Sequence, residues 1–543
     1  MSNSLRAHAR PWLEQLGPLL LFILLTAIAA WPVVTQLDAV IIGSDQDALI
    51  NPWADMWTLQ ALQDAQRTLW YTDYLFFPEG ADLHYHSFSH LTTAVSLALR
   101  PLFGTLPAYN LTVLLHVVLA ALAMFHFARY LAGSTLAGLL AGLVFAFNSH
   151  NIWQTAHPVL VSIWPLPWAA MFLLQAIERA DPRRALVAAI FVLLAALCST
   201  LMLILMCLWL AFILVYALIT HRLKRAALPA LALFAGASIS LAAIPLLPLL
   251  AEALLRDNSS FLIEVGISLP ADILAPLQPY WLGLLDRSLH FGIIPLVLVT
   301  AASLRRRASR TWLLFLLITY LFAIGPMPRI GGTGYALTLP WSYLVPPLLR
   351  HTHRLNVLMS AALAVLVAYG WTVVADHVGE RRWPLALLLG AFIFAEYTLP
   401  AFPHQTPAVS AFYTEFLETV PDDVALSILP TGRQEDKLYM YFQTLHGHRM
   451  TGGVVSRPAA GTFDFIRSNP VLRAGAVNWE PVPLPNDVSA AFQHLATAGV
   501  GYLVLDKLLF RQHELQIETW RQTIPAAPIY EDDLVVVFAT ALD

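Results

Sequence analysis

The chain has 543 residues, 58% hydrophobic and 12% charged, with a mean hydropathy of +0.64. Soluble domains run about 45–50% apolar, so this composition excludes an ordinary soluble globule and specifies a polytopic α-helical membrane protein. The net charge of −4, with 28 Arg against 3 Lys and no basic run among aromatics, gives no footprint for nucleic acid, and two cysteines in one apolar stretch, Cys198 and Cys207, offer neither a disulfide framework nor a metal pattern.

In chain order, Arg6 and Arg10 precede an apolar run from Leu16 to Leu37 that lacks a small-residue cleavage site. It reads as a retained signal-anchor helix. Further apolar segments fall at 107–128, 134–150, 158–178, 185–199, 202–220, 226–250, 288–304, 311–325, 355–376 and 384–401. With the first, about eleven spans are expected. Cys198-Ser199-Thr200 supplies a turn inside the long run 185–220, and Arg100-Pro101 argues that 88–104 lies along the interface instead of crossing. With the N-terminus inside, inner loops hold 15 cations in about 50 residues, and outer loops hold 7 in about 150. The expected orientation is therefore N-in and C-out, with 38–106, 251–287, 326–354 and everything from 402 outside.

Outer loop one opens on Ser44-Asp45-Gln46-Asp47, and Ser44 with Asp47 has the form of a capping box. If a helix starts there, Asp47, Asn51 and Asp55 share one face and Leu49, Trp53 and Trp57 another, with Pro52 near the start. A carboxylate beside the membrane can act as general base or bind a divalent cation. The plainer reading is a helix cap with solvated loop acids. His84, His86 and His90 end the loop, and His150 and His157 flank the next outer turn, without a third or fourth ligand in zinc register. Arg350-His351-Thr352-His353-Arg354 puts two guanidinium groups outside, against the charge trend; they suit phosphate oxygens, lipid headgroups or a loop acid. Charges deep in the spans are nearly absent, which counts against an ion-coupled transporter. The tail from 402 is long enough for its own core. It reads as an α/β domain, with strands at 423–429, 502–506 and 534–538 and helices at 487–498 and 507–522.

Several stretches carry a family resemblance: Asp47 to Asn51 with Trp53 and Trp57, Leu75 to Gly80, His90-Leu91, Ala108-Tyr109-Asn110, Ala141 to Phe147, His157 with Trp164, and Arg350 with Arg354. In the tail, Tyr439 to Gly447 and Gly452 to Pro458 belong with them. Together they resemble the GT-C superfamily of polyprenyl-phosphate-sugar-dependent membrane glycosyltransferases, in particular a bacterial GT-C-like branch. The resemblance implies a GT-C-like transmembrane domain at 1–401, with interfacial helices in loop one, and an extracytoplasmic α/β domain at 402–543. It implies a bacterial inner-membrane enzyme moving a hexosyl or pentosyl group from a polyprenyl-phosphate donor to a glycan, lipid or protein acceptor, among membrane lipids. Asp47 is the first candidate for catalytic base or metal ligand and Asp45 the second. Asn51, Asp55, His90, His157, Arg350 and Arg354 are the candidates for substrate binding. Ser44 stands where relatives often carry an acid, which leaves a divalent cation (Mg or Mn) open, and no residue is assigned as a metal ligand. The alternatives are a non-catalytic transporter or lipid-binding scaffold using the same arginines, or an interaction module in the tail anchored by the spans.

Overall fold

The computed structural model describes residues 2–255, 271–277, 290–325, 328–335, 351–399 and 401–541; Arg350 and parts of the stretches 251–287 and 326–354 lie outside them. Thirteen helices precede the tail among these residues if single turns are set aside. They are α1 (Ser2–Ala29), α2 (Ile50–Gln63), α3 (His90–Phe103), α4 (Thr105–Ala132), α5 (Thr135–Phe147), α6 (Pro165–Arg179) and α7 (Pro182–Cys198), followed by α8 (Thr200–Ile219), α9 (Leu228–Leu255), α10 (Ile293–Arg305), α11 (Ser309–Ala323), α12 (Asn356–Val378) and α13 (Arg382–Thr398). Each apolar segment of the sequence carries one of these helices. Six helical stretches among the described residues are long and apolar enough to cross a membrane: Thr105–Ala132, Thr135–Ala156, Pro158–Arg179, Thr200–Ile219, Arg225–Leu254 and Thr352–Thr398. Leu16–Ala29, Ile293–Arg305 and Ser309–Ala323 are shorter apolar helices. The first stops before the expected Leu37 because Pro32 has no N–H to continue it.

Local chemistry sets the breaks. Gly133, at φ +67°, closes α4 with its N–H on Arg129 O at 2.8 Å, and the Ser134 hydroxyl then caps α5 by accepting from Ala137 N. Ser199 divides the long run 185–220 in the same way, accepting from Met202 N at 3.0 Å.

Helix α12 forms the centre of the bundle. It packs against α5, α10 and α11, and its residues from Asn356 to Trp371 are nearly all buried. Lipid is as apolar as leucine, so such helices gain from close backbone approach more than from escaping water. Small residues mark those approaches. A side chain at Gly370 would overlap the Leu298 carbonyl on α10; at Gly142 it would stand 2.7 Å from Ala121 O, and at Gly138 2.8 Å from Phe125 O, both on α4. Glu396 of α13 is buried in the bundle, where it accepts from His290 Nε2 at 2.9 Å and from Ile293 N at 2.9 Å.

Two short strands tie loop one to the tail. β1 (Ile41–Ile42) pairs antiparallel with β2 (His404–Gln405). Beyond it a sheet runs in the order β3 (Ala425–Leu429), β4 (Val500–Asp506), β6 (Val535–Ala539) and β5 (Tyr530–Glu531). β3 and β4 are parallel and the other pairs antiparallel. Helices α14 (Glu435–His446) and α15 (Ser489–Thr497) lie in the crossover, and α16 (Lys507–Gln512) and α17 (Ile517–Thr523) follow β4. The sequence reads 507–522 as one helix. It is broken at Glu514, φ +56°, where Leu515 N–H turns back to Phe510 O at 2.8 Å.

Loop one and the tail interlock. Met450 N donates to Tyr74 O at 3.0 Å and Phe77 N to Met450 O at 2.9 Å, while Arg449 pairs with Asp73 at 2.9 Å. Helix α14 lies on α2, where the Trp53 indole N–H donates to Gln443 Oε1 at 2.6 Å. Gln443 in turn donates to Tyr74 O and His448 O, so a buried amide has its donors and acceptor satisfied.

Candidate functional site

The acidic stretch is positioned by its backbone. Gly43 takes φ +110°, and a Cβ there would stand 2.6 Å from Ala156 Cα, so only glycine lets this strand end touch the 154–157 turn. Asn110 of α4 holds the approach: its carbonyl accepts from Ile42 N at 3.0 Å and its amide donates to Leu37 O and Val40 O. The cap is Asp45 and not the expected Ser44. Asp45 is extended and its carboxylate accepts from Asp47 N at 3.1 Å, opening a 3-10 turn over Gln46–Leu49 before α2 begins at Ile50. Pro52 sits in the first turn of α2, where its missing N–H costs little. Leu49, Trp53 and Trp57 are buried together, the two indoles stacked at 6.3 Å.

The tighter 3-10 turn swings Asp47 away from the face shared by Asn51 and Asp55. Asp47 Oδ2 meets His157 Nε2 at 2.9 Å, and Oδ1 meets Lys437 Nζ at 2.5 Å. The carboxylate therefore gathers three elements, since His157 precedes a short helical turn in the bundle and Lys437 lies on α14 of the tail. Burial opposes its ionisation, but the His157 hydrogen bond and the Lys437 charge outweigh that. The Asp47 pKa lies well below the ordinary carboxylate range. Lys437 is 5% exposed at its side chain and also donates to Gln434 Oε1 at 2.8 Å. An ammonium so enclosed needs both partners.

The other expected residues take separate places. Asn51 spends its amide on Asp47 O (3.0 Å), Ala156 O (3.2 Å) and Tyr109 OH (3.2 Å), which makes it a strut under the turn. Asp55 points inward to Ser96 and Thr93, and burial pushes its pKa up to about 7. His90 starts α3 and packs on Trp70 and Phe88, not on Asp47; burial lowers its pKa. Asp45 is exposed and serves as the cap. Arg354 lies in the 3-10 turn Thr352–Leu355 that leads into α12, and its charge, with those of His353 and His157, acts on His150. Arg350 lies outside the described residues.

Sequence reasoning missed one participant. Lys437 is one of three lysines in the chain and stands two residues before the family-like stretch starting at Tyr439, a signal that gained meaning only once α14 was seated on α2. His86, one of the loop-one histidines named from the sequence, is half-buried near the Asp47 and Arg433 charges, and desolvation lowers its pKa to about 4.

Asp45, Asp47 and His157 bring three ligand atoms within 4.8 Å of one another. The set fits a Mg or Mn ion poorly. Those ions favour oxygen ligands, and the Lys437 ammonium already sits on Asp47 Oδ1.

A bundle of long apolar helices with a C-terminal domain pressed onto its first loop defines a helical membrane protein, and its architecture is GT-C-like. The chain aligns with arabinofuranosyltransferase AftD from mycobacteria at a TM-score of 0.59 and 16% identity, covering 98% of this chain and 40% of that one. It aligns with apo ArnT from Cupriavidus metallidurans at 0.56 and 14%, covering 98% of each chain. With the oligosaccharyltransferase AglB from Archaeoglobus fulgidus the values are 0.51 and 12%, over 91% of this chain and 69% of that one. The chain thus spans well under half the length of AftD. No family model matches the sequence, and no curated protein matches it. At these identities the likeness shows the fold.

Proposed function

We propose that the protein transfers a sugar from a polyprenyl-phosphate donor to an acceptor hydroxyl at the extracytoplasmic face of a bacterial inner membrane. In this reading residues 1–401 form the membrane domain, with the N-terminus inside, and 402–543 form the outer domain. The observation that carries the proposal is the Asp47 carboxylate held between His157 and Lys437 at the seam of bundle and tail. The fold neighbours agree with it: ArnT has been seen bound to undecaprenyl phosphate, and AglB with dolichol-phosphate and an inhibitory peptide.

The chemistry follows from the clamp. A carboxylate bonded to both an ammonium and an imidazole is a weak base. An arriving donor phosphate competes for Lys437, and in this reading Arg354 shares its charge. Released from Lys437, Asp47 becomes more basic while His157 still fixes its direction. It then takes the proton of the acceptor hydroxyl as that oxygen bonds to the anomeric carbon. The bond from that carbon to the phosphate oxygen breaks, and the polyprenyl phosphate leaves with its new negative charge facing Lys437 and Arg354. Donor binding thereby switches on the base.

The test is Asp47→Asn, followed by transfer of radiolabelled sugar from polyprenyl-phosphate in membranes. Loss of about 10²–10⁴-fold in rate is expected. Unchanged products from a folded variant would remove the catalytic assignment and favour the lipid-binding scaffold.

A further inference from the structure

A partly open cavity lies against the tail, its wall distinct from the residues that touch Asp47. It has a volume of about 720 Å³, and Arg433, Asp436, Ser456, Phe463, Arg467 and Trp479 contribute to its wall. That volume falls in the usual range of ligand pockets, about 300–1,000 Å³. Asp436 is buried and saturated: it accepts from Gly453 N at 2.9 Å, Gly432 N at 3.3 Å and the Thr431 hydroxyl at 2.9 Å. It builds the wall and does not neutralise the arginines. Arg433 is exposed and donates to a carbonyl, Val455 O at 3.3 Å, not to a carboxylate. Arg467 lies over Trp479 at 5.2 Å and over Phe463 at 5.8 Å. Its acid, Asp464, is 3.7 Å away with both side chains more than half exposed, a pair worth little. Two guanidinium groups and an aromatic wall therefore face one space with little opposing charge. Aromatic rings suit the apolar faces of sugars, and guanidinium forks suit carboxylate or phosphate.

The space is joined to the reaction centre by the chain itself. Asp436 and Lys437 are adjacent on α14, one forming the cavity wall and the other bonded to Asp47. The Arg433 and Asp47 charges both act on the half-buried His86. The Ser456 hydroxyl meets Ser87 Oγ of loop one at 2.7 Å.

We propose that this cavity is the acceptor site and that the acceptor is a saccharide bearing an anionic group, a carboxylate or a phosphate, gripped by Arg433 and Arg467. This deepens the reading above and rests on it for the word acceptor; the binding itself does not. The experiment is calorimetric titration of the full-length protein in nanodiscs with trigalacturonate, glucose 6-phosphate and neutral maltotriose. Binding of trigalacturonate or of glucose 6-phosphate is expected, and whichever binds tells carboxylate from phosphate; maltotriose should bind at least tenfold more weakly. The double variant Arg433→Gln/Arg467→Gln should weaken the anionic ligand at least tenfold with an unchanged melting temperature, both side chains being exposed. Ser456→Trp, which fills the wall, should weaken it as well. Equal binding of maltotriose, binding of neither anionic probe, or a double variant within twofold of the parent overturns the proposal. No transfer is read in this experiment, so its failure leaves the Asp47 assay standing, and failure of that assay leaves the binding result standing.

Discussion

The bundle around α12 and the cap made by loop one with the tail hold their shapes by different means. In the bundle the close contacts are backbone against backbone, at Gly138, Gly142 and Gly370. In the cap, polar groups make the joints: buried Gln443 to Trp53, buried Lys437 to Asp47, and the partly exposed pair Arg449 to Asp73. The bundle cannot accept an atom at those glycines, whereas the joints of the cap are hydrogen bonds and ion pairs. Asp47 sits where these two kinds of order meet, its backbone set by Gly43 and Asn110 and its charge set by Lys437.

Two substitutions separate the regions, the larger effect first. Gly370→Leu puts a side chain into the Leu298 carbonyl, and buried backbone cannot move aside. Folded protein should be lost, read as the monodisperse fraction after detergent extraction. Lys437→Met should leave that fraction nearly intact and strike function: the KM for the polyprenyl-phosphate donor rises about tenfold or more, from loss of a charge-assisted contact. A Lys437→Met protein that fails to assemble, or a Gly370→Leu protein that assembles well, would erase the distinction.

The same contrast explains what the sequence made legible. Apolar runs report helices directly, because each residue's surroundings depend on its own hydropathy, and so the segment around 355–376 pointed to α12. The hairpin residues Gly133 and Ser134 and the turn at Ser199 act on neighbours a few positions away. The His157–Asp47 and Asp47–Lys437 contacts span separations of 110 and 390 residues, and no local pattern encodes them. Asp47 and His157 were both candidates, each on its own grounds, but the contact between them came only with the fold. Asn51 and Asp55 shared an ideal helical face with Asp47 only if the helix began at Ser44. The 3-10 turn capped by Asp45 moved them to other tasks.

A smaller effect concerns pH. Burial raises the pKa values of Asp55 and Asp436 to about 7, so the folded cap keeps protons that the unfolded chain, with carboxyls near 3.8, has already released. Stability from this source is present at low pH and falls as pH rises toward 7 and just beyond. His86, lowered to about 4, works in the opposite direction: its unfolded form binds protons below about 6.5 and its folded form does not. His90 and His446 are lowered as well, and their unfolded forms still lose protons between pH 6.5 and 8, so the share of Asp55 is read as the difference between the parent and Asp55→Asn over that window. Relative to the variant, the parent should lose about 1–3 °C in melting temperature there, equivalent to about 1 kcal/mol. A steeper drop in the variant would contradict a buried, protonated Asp55. Asp47 adds nothing in this window, because its depressed pKa confines its contribution to a loss at far lower pH.

The smallest expected effect is that of metal removal, and it tests whether the cap's own charge does the work of an ion. Asp45, Asp47 and His157 could present three ligand atoms, yet both Asp47 oxygens are engaged, one by His157 and the other by Lys437. A divalent cation would have to displace an enclosed ammonium and then repel it at short range. EDTA should change transfer by less than twofold, and added Mg or Mn should restore nothing. A tenfold loss on chelation would mean that the clamp opens in the working enzyme. Lys437→Met should then bind the ion more tightly than the parent, since the competing charge is gone. Under the proposed mechanism that variant gains no metal dependence, because its missing ammonium faced the donor phosphate, and an ion at Asp47 would block the base.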